Sequence, residues 1–127
     1  MSEKLYRIRN VVVLGSGVMG SQIAAHCVNA GLNVKLLDLK DDDAENPNRI
    51  AMENADKLLE MNPAPLALDS YRKRITVGNF EDNLDWIEQA DWVVEAIIEK
   101  MGIKKDMFKR VEEYRKKGTI VSSNTSG

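Results

Sequence analysis

Apolar residues along this chain follow two rhythms, short β-branched runs and longer stretches at helical spacing, and the two alternate from end to end. Val11-Val12-Val13-Leu14 predicts a first strand. The stretch that follows predicts a helix in which Met19, Ile23, Cys27 and Ala30, with Ala24 and Val28 alongside, lie on a sheet. Gly31 ends that helix as a left-handed residue. Asn33 to Asp38 predicts a second strand, and because Val34, Leu36 and Leu37 do not alternate cleanly, both its faces are covered, as in parallel sheets.

After the acidic loop from Asp41 to Asn46, Pro47 suits the first turn of a helix running to about Met61, with Ile50, Ala51, Ala55, Leu58 and Leu59 on one side. Asn62-Pro63-Ala64-Pro65 breaks it, and a short helical piece from Leu66 to Arg72 leads into a third strand, Ile75-Thr76-Val77, ended by Gly78-Asn79. These about 35 residues exceed a simple crossover and predict a helical hairpin projecting beyond the sheet. Asp82 or Asn83 can cap a helix over Leu84 to Ala90. A fourth strand over Asp91 to Ala96, a helix from Ile103 to Arg115 and a fifth strand from Thr119 to Ser123 complete the pattern. The expected fold is α/β: a doubly wound, mostly parallel sheet with a helical hairpin insertion after the second strand, one domain over residues 1–127.

Composition changes this picture little. At 127 residues, 43% apolar and 30% charged, the chain supports one core without disulfides. A net charge of −2 gives no general field for nucleic acid or an anionic membrane, so any phosphate must be bound locally. The single cysteine, Cys27, reads as a small buried apolar residue on the first helix. The start Met1-Ser2-Glu3-Lys4-Leu5 has no apolar leader core and no apolar run reaches membrane-spanning length, so a cytoplasmic protein is expected. The sequence offers no metal-ligand spacing and no Ser/His/Asp arrangement.

Chemistry enters at Gly15-Ser16-Gly17-Val18-Met19-Gly20, set between the first strand and the first helix, with Asp38 eighteen residues past Gly20. In this Rossmann-type context Gly15 permits the tight turn, Gly17 lets backbone approach a pyrophosphate, and Gly20 lets the helix pack closely. The helix start offers unpaired N–H groups to that diphosphate. Asp38 can accept adenosine ribose hydroxyls and would repel a 2′-phosphate, which favours NAD over NADP. Leu39 and Lys40 follow rather than an arginine, and Lys40 is the one basic group near enough to matter. A flavin-type dinucleotide or an S-adenosylmethionine site shares the same turn and stays open on these residues alone.

With Trp92-Val93-Val94-Glu95-Ala96-Ile97-Ile98-Glu99, Lys104 and Ser123-Asn124-Thr125-Ser126 added, the whole chain resembles the amino-terminal domain of the 3-hydroxyacyl-CoA dehydrogenases. The resemblance implies NAD as cofactor, an acyl-CoA substrate whose 3-hydroxyl is oxidised to a ketone in fatty-acid β-oxidation, and a homodimeric parent. It implies that Glu99 and Lys104 hold the nicotinamide-ribose end, and that Ser126, with Asn124 in the same turn, meets substrate and cofactor near the reacting carbon. It also implies that the hairpin between Asp38 and Ile75 is the arm that covers acyl-CoA.

The family's proton-abstracting histidine and its glutamate partner follow the Ser-Asn-Thr-Ser strand and are not in this sequence. His26, the one histidine, sits on the first helix about two turns from the glycine loop and is expected on a partly exposed flank, away from the chemistry. The chain therefore reads as the cofactor-binding piece of a longer enzyme, inactive alone. A stand-alone NAD-sensing module, or another β-hydroxyacid dehydrogenase with a lysine base, are the competing readings. The basic stretch Lys104, Lys105, Lys109, Arg110 reads as a solvated helix face, and Trp86 and Trp92 as core or its margin.

Overall fold

A computed structural model describes residues 8–43, 45–97 and 103–123, with residues 103 and 104 described through the backbone alone. Five strands, β1 (Asn10–Leu14), β2 (Asn33–Asp38), β3 (Ile75–Asn79), β4 (Trp92–Glu95) and β5 (Ile120–Ser123), form one sheet in the order β3-β2-β1-β4-β5. All four pairings are parallel. The chain steps outward from β1 through β2 to β3, then returns to place β4 on the other side of β1. That reversal opens a crevice at the carboxyl ends of β1 and β4.

The central strands β1, β2 and β4 are buried on both faces because their aliphatic residues feed two cores. Val11, Val13, Val34, Leu36 and Ile75 pack with Ala24, Ala25, Cys27 and Val28 of helix α1 (Val18–Asn29). Val12, Leu14, Leu37 and Val93 pack on the opposite face with Leu84, Ile87, Met107 and Val111, the last two from helix α3 (Ile103–Tyr114). Helix α1 ends as its glycine predicts: Gly31 has φ +88°, its N–H donates to the Val28 carbonyl, and the Leu32 N–H donates to that of Cys27. That pair of bonds satisfies carbonyls the helix would otherwise leave open.

The face α1 turns to the sheet holds Ala24, Cys27 and Val28 as expected, with Ile23 packed against the same core, and departs from expectation at the two ends of the helix. Gly20, Ser21, Ala24, Ala25, Cys27 and Val28 are buried, whereas Met19 is 41% exposed and Ala30 is exposed. At Gly20 the start of α1 sits so close to the Gly15 carbonyl that no Cβ would fit.

The segment between β2 and β3 also departs from expectation. Helix α2 spans only Arg49–Asp56, with Pro47 outside it, and continues as a 3-10 turn over Lys57–Glu60. The second piece is a 3-10 turn over Asp69–Arg74. Far from projecting, the segment folds back on the sheet: Ala55, Leu58 and Leu66 join the α1-side core, and Ala51 is fully buried. The apolar side of α2 is what draws it in. Leu84–Gln89 is likewise a 3-10 turn, and β3 runs on through Gly78 and Asn79. Among the described residues, no helix is long and apolar enough to cross a membrane.

Candidate dinucleotide site

At the crevice the register aligns Leu14 with Leu37 on one side and Glu95 on the other, so Gly15, Asp38 and Ala96 emerge together. Gly15 has φ +105°, and a Cβ there would stand 2.7 Å from the Ala96 carbonyl oxygen. Its N–H donates to the Leu37 carbonyl at 2.8 Å, while the Ala96 N–H donates to that of Leu14 at 2.8 Å. The turn is thus stitched to both neighbouring strands. A Cβ on Gly20 would collide with the Gly15 carbonyl, so the start of α1 rests directly on the turn. Ser21 Oγ locks the two together by donating to the Ser16 carbonyl at 2.7 Å.

Gly17 is the residue before α1 and no side chain caps the helix. The first-turn N–H groups of Val18, Met19 and Gly20 have no acceptor within the helix, which makes this end an anion-attracting surface. Val18 is 68% exposed beside it.

Asp38 is tied into the same turn. The main-chain N–H of Ser16 donates to its Oδ2 at 2.7 Å, the Ser16 hydroxyl donates to the same oxygen at 2.5 Å, and the Leu39 N–H donates to Oδ1 at 2.7 Å. Ser16 is 1% exposed. Asn54 Nδ2, on α2, donates to Ser16 Oγ at 2.9 Å. Both the inward turn of the Ser16 side chain and the Asn54 contact escape sequence reading; no local spacing signals either.

Asn79, opposite Asp38 in the register, organises the outer rim. It is buried, its Nδ2 donates to Asn48 Oδ1 and Asp82 Oδ2, and its Oδ1 accepts the N–H groups of Glu81 and Asp82. Asn83 stands at the N-cap position, as expected, but its side chain caps no N–H of the following turn and its oxygen accepts the Asn79 N–H. The Asn79 side-chain bond holds the Asp82 carboxyl below its ordinary value, burial opposing and Lys40 assisting. Lys40 Nζ is 3.3 Å from Asp82 and 3.9 Å from Asp42.

On the other side of the crevice Glu95, 1% exposed, accepts the Ile97 N–H at 2.6 Å and the Ser123 hydroxyl at 2.8 Å, binding the ends of β4 and β5 together. Glu99, Asn124 and Ser126 lie outside the described residues, as does the side chain of Lys104. His26 is exposed on α1 and lines a shallow groove with Val18, Gln22 and Met61. Cys27 is buried, and burial pushes its thiol up, away from the reactive thiolate. Of the basic stretch on α3, Arg110 donates to the Phe80 carbonyl, while Lys105 and Lys109 are exposed. Trp86 and Trp92 sit at the margins of the two cores.

The family model for "3-hydroxyacyl-CoA dehydrogenase, NAD binding domain" matches residues 10–127. A probable 3-hydroxyacyl-CoA dehydrogenase of Bacillus subtilis is 44% identical, over 94% of this chain and 17% of the relative. One from Deinococcus radiodurans is 42% identical, over 95% of this chain and 35% of its own length. The chain thus spans well under two thirds of either relative. The crystal structure of (S)-3-hydroxybutyryl-CoA dehydrogenase from Ralstonia eutropha superposes with a TM-score of 0.66 at 27% identity, over 94% of this chain and 42% of that one. The chain belongs to the 3-hydroxyacyl-CoA dehydrogenase family, matching its NAD-binding domain.

Proposed function

We propose that residues 1–127 form the coenzyme-holding domain of an enzyme that oxidises the 3-hydroxyl of an acyl-CoA, with NAD accepting the hydride. One observation carries the reading: a glycine turn too tight for any Cβ at Gly15 or Gly20 meets the carboxylate of Asp38 at the switch point of the sheet. In it, the amides from Gly17 to Gly20 face the diphosphate, with Val18 and Met19 at its edge, and Asp38 accepts the adenosine ribose. A 2′-phosphate would meet Asp38 at close range, so NAD is preferred to NADP. NAD supplies the hydride acceptor; the domain supplies orientation, which lowers the barrier by fixing the geometry of transfer.

Glu99 and Lys104 at the nicotinamide ribose, and Ser126 with Asn124 beside the substrate, complete the proposed set. The proton is taken by residues of the longer protein, which we read as a cytoplasmic homodimer acting in fatty-acid oxidation. The segment between β2 and β3 touches the glycine turn through Asn54 and remains the candidate acyl-CoA cover, now as a packed layer rather than a projecting arm.

Calorimetric titration of the chain tests the coenzyme part: NAD binds, NADP binds more weakly, and Asp38→Asn weakens NAD roughly tenfold. An unchanged isotherm in Asp38→Asn defeats it. Reduction of acetoacetyl-CoA by NADH, followed in the longer protein and in this chain, tests the rest, with turnover expected only in the former.

A further inference from the structure

Asn54 is an odd choice for the middle of α2. Asparagine is a poor helix former, and the turn of helix around it buries alanines, Ala51 and Ala55. Its amide instead reaches the glycine turn, where Nδ2 stands 2.9 Å from Ser16 Oγ. That hydroxyl has one proton, and its other neighbour, Asp38 Oδ2 at 2.5 Å, is a pure acceptor when ionised. The proton therefore lies between Ser16 and Asp38, and the bond from Asn54 leaves it nowhere else to go. The direction of the chain is fixed: Asn54 donates to Ser16, and Ser16 donates to Asp38.

Acceptor capacity on Asp38 is then unevenly used. Among the described residues, Oδ2 holds two donors from Ser16, and Oδ1 holds only the Leu39 N–H. The remaining lone pair of Oδ1 is the one left for an incoming hydroxyl. With Ser16 almost fully buried, this polar chain works away from bulk water, where such bonds hold geometry strongly.

We propose that Asn54 is a positioning residue for coenzyme recognition: acting through Ser16, it sets the plane of the Asp38 carboxylate so that Oδ1 faces the adenosine ribose. The inference rests on the reading of Asp38 as ribose acceptor. Pre-setting the carboxylate removes an ordering cost that binding would otherwise bear.

The test is calorimetry on the full chain with NAD and with its analogue lacking the adenosine 2′-hydroxyl. Asn54→Ala should weaken NAD roughly three- to tenfold and narrow the preference for NAD over the analogue. In a Ser16→Ala background the same substitution should have no further effect, because Asn54 acts through that hydroxyl. Asn54→Asp keeps the size but sets a second carboxylate competing for the Ser16 proton, and should weaken NAD at least as much. Unchanged NAD affinity in Asn54→Ala and Asn54→Asp, or losses from Ser16→Ala and Asn54→Ala that simply add, overturns the proposal. A wild-type chain that fails to bind NAD overturns the coenzyme reading itself, and is seen before any variant is made.

Discussion

The carbonyl oxygen of Gly15 occupies the space that a side chain on Gly20 would need. Gly31 provides a contrast, since its φ of +88° is left-handed but nothing lies within 4 Å of a Cβ there. Gly20→Ala should therefore cost about 2–3 kcal/mol in urea unfolding, through overpacking of turn against helix. Gly31→Ala, which meets backbone strain alone, should cost about 1 kcal/mol. Equal losses from the two would show that the turn yields easily, and the close seat of α1 would then not be what shapes the site.

Lys40, two residues past Asp38, is engaged with Asp82 at 3.3 Å and Asp42 at 3.9 Å. Asp82→Asn should loosen it, leaving only the longer contact with Asp42, and remove a negative charge from the rim. NADP affinity should then rise roughly threefold, NAD affinity should hold, and the gain should fade at high salt as screening sets in. Parallel titrations with both coenzymes check this. A gain shared by NAD would mean that Asp82 acts on the dinucleotide as a whole.

Asp91 ties down the opposite end of the sheet. Burial pushes its carboxyl up, but the N–H groups of Asn10 and Arg9 and the ammonium of Lys116 outweigh burial and hold it below its ordinary value. A carboxyl lowered on folding adds stability above its unfolded value, about 3.9. That stability is lost as pH falls through the folded value. Asp91→Asn should cost about 1 kcal/mol at neutral pH, and the gap to wild type should close below about pH 3.9. Thermal melts across that range are the measurement; a gap that stays constant with pH would assign the effect to shape rather than charge.

Gly15, Gly20 and Asp38 are legible in the sequence because local backbone demands put them there, and a strand, a turn and a helix around them leave few alternatives. The parallel sheet is legible for a similar reason: Val34, Leu36 and Leu37 are all buried, as their lack of alternation implies. The buried face of α1 is legible only in part: Ala24, Cys27 and Val28 lie on it as their spacing implies, whereas Met19 is exposed and Ser21 and Ala25 join the buried side. Leu84 to Gln89 has helical spacing but only six residues, and a 3-10 turn fits that span. Asn54 is invisible for another reason: its partner Ser16 is 38 positions away, and a polar residue in a helix reads as solvated until the fold brings the two together.

The first turn of α1 leaves open the peptide N–H groups of Val18, Met19 and Gly20, which neither titrate nor change with the side chain they carry. Changes of side chain and of pH would leave that surface intact. On the proposed reading, the choice between NAD and NADP rests instead on the side chains Ser16, Asp38 and Asp82, so a single substitution there would alter it while the amide surface stays as it is.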